Sequence, residues 1–193
     1  MRRRTRGRGK HLRIRAAIAL VPAILATAGC FPLKGDPKLD GSLERYRGDG
    51  FTVGYPKEWT RSASGERAVP GSLFEVVGPG QGANRPAGSF DIVTYWGRDQ
   101  LLDDVVSNFM QVSRSEHNFQ LIGQERLDMG GHTAYQVRKE SEGWRGASSQ
   151  RIHTVDWFAQ SKGGTVVDIR IGFPIDQYDF SVVSSIGRSL SVD

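Results

Sequence analysis

The sequence predicts an α+β domain, a mostly antiparallel sheet of about six to seven strands packed against two α-helices as an α/β/α sandwich. Three observations carry that expectation. Short segments alternate apolar and polar residues with the two-residue period of a half-buried strand. Two longer segments carry apolar stripes at helical spacing. Glycine-rich tetrapeptides separate several strands at hairpin distance.

The elements follow in order. In GFTVGYPKEWT, residues 50–60, Phe51, Val53 and Tyr55 alternate with Thr52 and Gly54, Pro56 ends the strand, and Trp59 is expected to fold back onto the sheet. SLFEVVGP is a second strand, with Phe74 and Val76 on one face. The loop GPGQGANRPAG, residues 78–88, leads to a third, FDIVTYWG, residues 90–97. DQLLDDVVSNFMQVSRSE, residues 99–116, then changes period. Leu101, Leu102, Val105, Val106, Phe109 and Val112 form a helical stripe opposite Asp103, Asp104 and Asn108, with Asp99 as the expected N-cap. Four strands follow in FQLIGQERLDM, HTAYQVRKESE, SQRIHTVDWFAQS and GTVVDIRIGFP. Met129-Gly130-Gly131-His132 and Ser161-Lys162-Gly163-Gly164 read as hairpin turns, because glycine supplies the positive φ they need. DQYDFSVVSSIGRSLSV closes the chain as a second helix, with Tyr178, Val182, Val183, Ile186 and Leu190 as its stripe and Asp176 as its cap.

Ahead of this domain the chain opens with MRRRTRGRGKHLRIR and the apolar run AAIALVPAILATAG. A basic segment, a short apolar segment and small residues at its end make residues 1–29 a signal peptide. The apolar run falls short of the about 20 residues a membrane span needs, and Pro22 interrupts it. These 29 residues hold eight of the 26 Lys and Arg and none of the 21 acidic residues, so the remainder carries −3. The basic pI therefore belongs to the export segment and does not argue for nucleic acid as a partner.

Cys30 is the only cysteine. Ala28-Gly29-Cys30, directly after an apolar run, resembles the lipobox of bacterial lipoproteins, in which the thiol receives lipid. Thr27 stands where that motif usually carries Leu, and cleavage after Ala28 by an ordinary secretion peptidase is the alternative. Residues 30–47 then serve as a flexible tether, with prolines, glycines and mixed charge in FPLKGDPKLDGS, and the domain occupies 48–193.

Catalytic and metal-binding patterns are missing. His11, His117, His132 and His153 fall in separate elements without ligand spacing, so neither a metal nor another cofactor is expected. There is no G-x-S-x-G elbow, and the G-x-G spacing at 78–88 is followed by a strand instead of the helix a phosphate-cradling loop needs. No catalytic residue is assigned. The aromatic residues are more informative. Trp59 and one of Trp96 or Trp157 are expected in the core. Trp144 and Arg145 in the segment SEGWRGA, with Tyr95 and Trp96 before the first helix, are the candidate partner or ligand surface.

The pattern Phe51, Val53, Tyr55, Pro56 and Trp59, the helix after the third strand and the closing helix after I-G-F-P resemble the LpqN-like lipoproteins of mycobacteria and their relatives, within the PsbP-like fold class. The resemblance spans roughly residues 48–191. Photosystem extrinsic subunits and a Ran-binding nuclear-import factor share that fold. It implies a binding or assembly factor at the cell envelope, alongside lipid-exporting membrane transporters, and supplies no catalytic residue to carry over. The expected function is an exported, lipid-anchored binding module on the extracytoplasmic face of the cell membrane that docks on or helps assemble a membrane-associated complex. The alternatives are a carrier of a hydrophobic envelope ligand in a cavity between sheet and helices, and an extracytoplasmic enzyme.

Overall fold

The structure is a computed structural model. It describes residues 41–63, 67, 69–80, 87–95, 101–144 and 147–193, and for 144 and 147–149 the backbone alone. The segment 1–29 that is read from sequence as a signal peptide, Cys30, Asp99 and most of the loop at 78–88 lie outside the described residues.

Among the described residues, ten strands form two sheets. The smaller has the order β1 (Leu43–Gly48), β2 (Phe51–Pro56), β10 (Ser191–Val192). The larger has seven strands in the order β3 (Thr60–Arg61), β4 (Ser72–Val77), β5 (Ser89–Tyr95), β9 (Val166–Pro174), β8 (Ala147–Gln160), β7 (His132–Trp144), β6 (Gln120–Met129). All its pairings are antiparallel. The expected α+β sandwich is present, with α1 (Leu102–Ser113) and α2 (Phe180–Ser189) as its helices.

The period of two in the central strands sorts their side chains onto two apolar layers. Val155, Trp157, Ala159, Val167, Ile169 and Ile171 join β2 and the buried side of α2, Val183, Ile186 and Leu190, in the larger core. The alternate positions Val137, Phe158 and Val166 meet Leu102, Val105, Val106 and Met110 of α1 in the second. The helices thus cover opposite faces of the seven-stranded sheet, and central strands buried on both faces read as near-continuous apolar runs.

The expected packing of Trp59 is found: its ring meets Phe173 edge-on at 5.8 Å. Gly78 and Gly88 make room for it, since a Cβ at Gly88 would lie 2.6 Å from the indole. The turn at Gly130-Gly131 has both φ values positive, 67° and 91°, as a tight two-residue hairpin requires.

Several local expectations are corrected. Residues 43–47, the end of the stretch read as tether, belong to the strand Leu43–Gly48, which pairs along β2 from Leu43 opposite Pro56 to Gly48 opposite Phe51. The cap of α2 is Asp179, whose carboxylate accepts from the backbone N–H of Ser181 and Val182. Asp176 instead lies in a 3-10 turn, Ile175–Gln177, that precedes the helix. Leu101 and Val112 lie off the buried stripe of α1 and are exposed. Ser113 takes the inward place in the last turn, where the ammonium of Lys139 donates to its hydroxyl at 3.1 Å.

Candidate functional site

The sheet face under α1 carries a row of charged side chains. Glu75 on β4, Asp91 on β5, Arg170 on β9 and Asp156 on β8 stand opposite one another in register. Asp168 lies two residues before Arg170 on the same face. The four carboxylate side chains are 0–1 % exposed. Arg170 bridges two of them, its Nε donating to Asp156 Oδ1 at 2.5 Å and its Nη2 to Asp168 Oδ2 at 3.2 Å. Phe109 of α1 covers the row, with the Arg170 guanidinium 5.3 Å and the Lys139 ammonium 5.1 Å from its ring centre. Lys139 is itself held by Ser113 and by an ion pair with Glu116.

Burial is the main cause that pushes the Asp168 carboxyl up to about 8, against the attraction of Arg170 and with the repulsion of Asp156. Burial works against the charge on Arg170, yet Asp156 and Asp168 outweigh it and hold the guanidinium protonated. Titration shifts of this kind mark catalytic clefts, but closed ion networks produce them as well. Asp168 is fully buried, among groups of its own sheet face and beneath α1, and this row is read as structural.

The open site lies at the edge of the same layer. A groove of about 410 Å³ runs between α1 and β6. Its floor is Val106, Met110 and Leu121, and its helix wall is Asp103, Ser107, Gln111 and Arg114. Spacings of four, four and three residues place these four on one side of the helix. Gln124 of β6 and Tyr135 of β7 complete the lining. The Tyr135 hydroxyl donates to Asp103 Oδ1 at 2.7 Å, and this hydrogen bond is the chief cause that raises the phenol's pKa. Asp103 and Arg114 thus sit at opposite ends of the groove, eleven residues apart along the helix, or about 16 Å.

Of the residues singled out from sequence, Tyr95 and Trp144 are not brought together. Tyr95 ends β5 opposite Val166, at one end of the sheet. It is half-buried beside the α1 core, and burial followed by the charge of Asp168 holds its phenol neutral. Trp144 ends β7 opposite Ala147, at the other end. Ten residues of β7 separate it from Ala134, which stands level with the Tyr95 end, a span of roughly 30 Å at strand rise. Trp144 is thus the last residue of a strand, where a glycine-rich loop is expected from sequence. Its side chain, Trp96 and Arg145 lie outside the described residues, as does Cys30. Trp157 is the second tryptophan of the core, 2 % exposed.

Sequence reasoning missed both the charged row and the groove. The row had a readable signal, since F-E-V-V, F-D-I-V, V-D-W-F and V-D-I-R-I each set a charge inside an otherwise apolar strand. The groove had a weaker one, the hydrogen-bonding stripe Asp103, Ser107, Gln111 and Arg114 on the helix that precedes an edge strand.

Among the described residues, no group of three or more His, Cys, Asp and Glu is set to hold a metal ion. No helix among them is long and apolar enough to cross a membrane.

No protein-family model matches the chain, and no curated protein matches it in sequence. Solved structures match its fold. Cyanobacterial PsbP (CyanoP) of Synechocystis sp. PCC 6803 is 18 % identical, with 86 % of this chain and 99 % of that one covered at a TM-score of 0.57. LpqN of Mycobacterium tuberculosis, a protein involved in cell envelope biogenesis, is 15 % identical, with 78 % and 91 % covered at a TM-score of 0.56. The chain therefore has a PsbP-like fold with similarity to LpqN.

Proposed function

We propose that this chain is a non-catalytic binding module of the cell envelope, exported and acylated at Cys30, that docks on or helps assemble a membrane-associated complex. The observation that carries the proposal is the groove between α1 and β6. Among the described residues it is an open concave feature beside a sheet whose two faces are covered, one over an apolar core and the other over apolar side chains and the buried charged row. Six of its nine lining residues offer hydrogen-bonding groups, a composition that suits a polypeptide partner better than an acyl chain. The likeness to LpqN supports an envelope setting. The thirteen residues from Cys30 to Leu43 can extend at most about 45 Å, enough to hold the domain against a bilayer surface.

A native mass spectrum of the protein released gently from its own envelope tests this reading. The expected species starts at Cys30, carries acyl chains on that residue and holds no small molecule. A chain starting at Gly29 with a bare thiol would remove the anchor. A retained lipid of defined mass would favour a carrier instead.

A further inference from the structure

β6 is the outermost strand of the seven-stranded sheet, with no strand beyond it among the described residues. It is ten residues long, and seven of them are exposed. Leu121 and Ile122, 42 % and 40 % exposed, lie at its bulge between Leu121 and Gly123. A long edge strand presents a row of backbone N–H and C=O groups, and proteins usually shorten or cover such an edge. The opposite edge of this sheet follows that rule, being the two-residue β3. The long edge and the groove are contiguous, because Leu121 and Gln124 of β6 line the groove.

We propose that an extended peptide segment of a partner protein docks here as an added strand along β6. The inference rests on the docking role above and names the kind of partner surface that role requires. Backbone groups of β6 supply sequence-independent hydrogen bonds, and every second side chain of the added strand turns toward α1. Those side chains meet an apolar floor, Val106, Met110 and Leu121, and the hydrogen-bonding wall of Ser107 and Gln111. The ends of the wall differ in charge. Asp103 with neighbouring Asp104 marks one end and Arg114 the other. At about 3.3 Å per residue the span between Asp103 and Arg114 matches about five extended residues. The preferred segment is therefore an apolar-polar alternation with an acidic residue over Arg114 and a basic residue about five positions away, over Asp103.

The test is selection of displayed ten-residue random peptides on the purified domain, wild type and variants side by side. Arg114→Glu and Asp103→Lys change exposed side chains, so the fold is expected to survive, and circular dichroism checks it. Selected peptides are expected to carry one basic and one acidic residue at the stated spacing, and to slow amide exchange across Gln120–Met129. Arg114→Glu is expected to weaken them about tenfold, and the Asp103→Lys/Arg114→Glu double variant to select peptides with the charge order reversed. Peptides that bind without protecting β6, or that ignore both substitutions, overturn the proposal. So does a domain that selects no peptide, or one that dimerises through β6. In each of these cases docking through another surface still stands or falls on partner capture in cells.

Discussion

Arg170 neutralises carboxylates that have no access to water, so its removal is costly. Arg170→Met leaves Asp156, 0 % exposed, as an uncompensated buried charge, and the expected loss is about 3–5 kcal/mol in urea unfolding. Replacing both partners, Asp156→Leu with Arg170→Met, is expected to recover most of that loss, because the apolar pair needs no compensation. Asp168 behaves differently because its folded pKa, about 8, lies above the unfolded value of about 3.9. The folded state binds the extra proton, so the stability this group contributes is full below pH 4 and is lost as pH rises to about 8. The stability difference between wild type and Asp168→Asn is expected to fall across that window and level off above it. Asp179 has the opposite sign. Its hydrogen bonds, the Ser181 hydroxyl first, hold its pKa below the usual carboxylate range, so its contribution is present at neutral pH and fades as pH falls through the acid limb. Asp179→Ala is expected to cost about 1 kcal/mol at pH 7 and progressively less in acid.

At the scale of elements, the long periodic segments were legible and the short or charged ones were not. β7, β8 and β9 and the cores of both helices follow directly from period. β1 does not, because its sequence LERYRG offers only Leu43 and Tyr46 as apolar residues, three apart, where a strand needs two or four. It is a charged edge strand, held by its ladder to β2. β3 and β10 have two residues each and carry no period. The cap of α2 moved from Asp176 to Asp179 because Ile175–Gln177 form a turn of their own before the helix begins. The candidate surface was less legible than the fold. Tyr95 and Trp144 look equivalent as aromatic residues near turns, yet the strand order sends them to opposite ends of the sheet. The groove depends on where α1 lies over β7 and β8, which no local pattern states.

At the scale of the molecule, a sandwich with both sheet faces covered leaves a long edge at β6. Both faces of the large sheet are occupied, by α1 on one side and by α2 with the small sheet on the other. The docking proposed above is therefore assigned to the rim, where β6 and the wall of α1 leave backbone and side-chain groups to water. CyanoP and LpqN share this fold, and a shared fold does not by itself fix a function. The central claim is that this chain works by docking through the groove. The most direct measurement places a photo-crosslinking amino acid at Gln111, at Gln124 or, as a control, at exposed Glu44 of β1, in the full chain expressed in its own cells. The account predicts one discrete envelope-protein adduct from Gln111 and Gln124 and none from Glu44. Adducts equal at all three positions, or none from the groove, would contradict it.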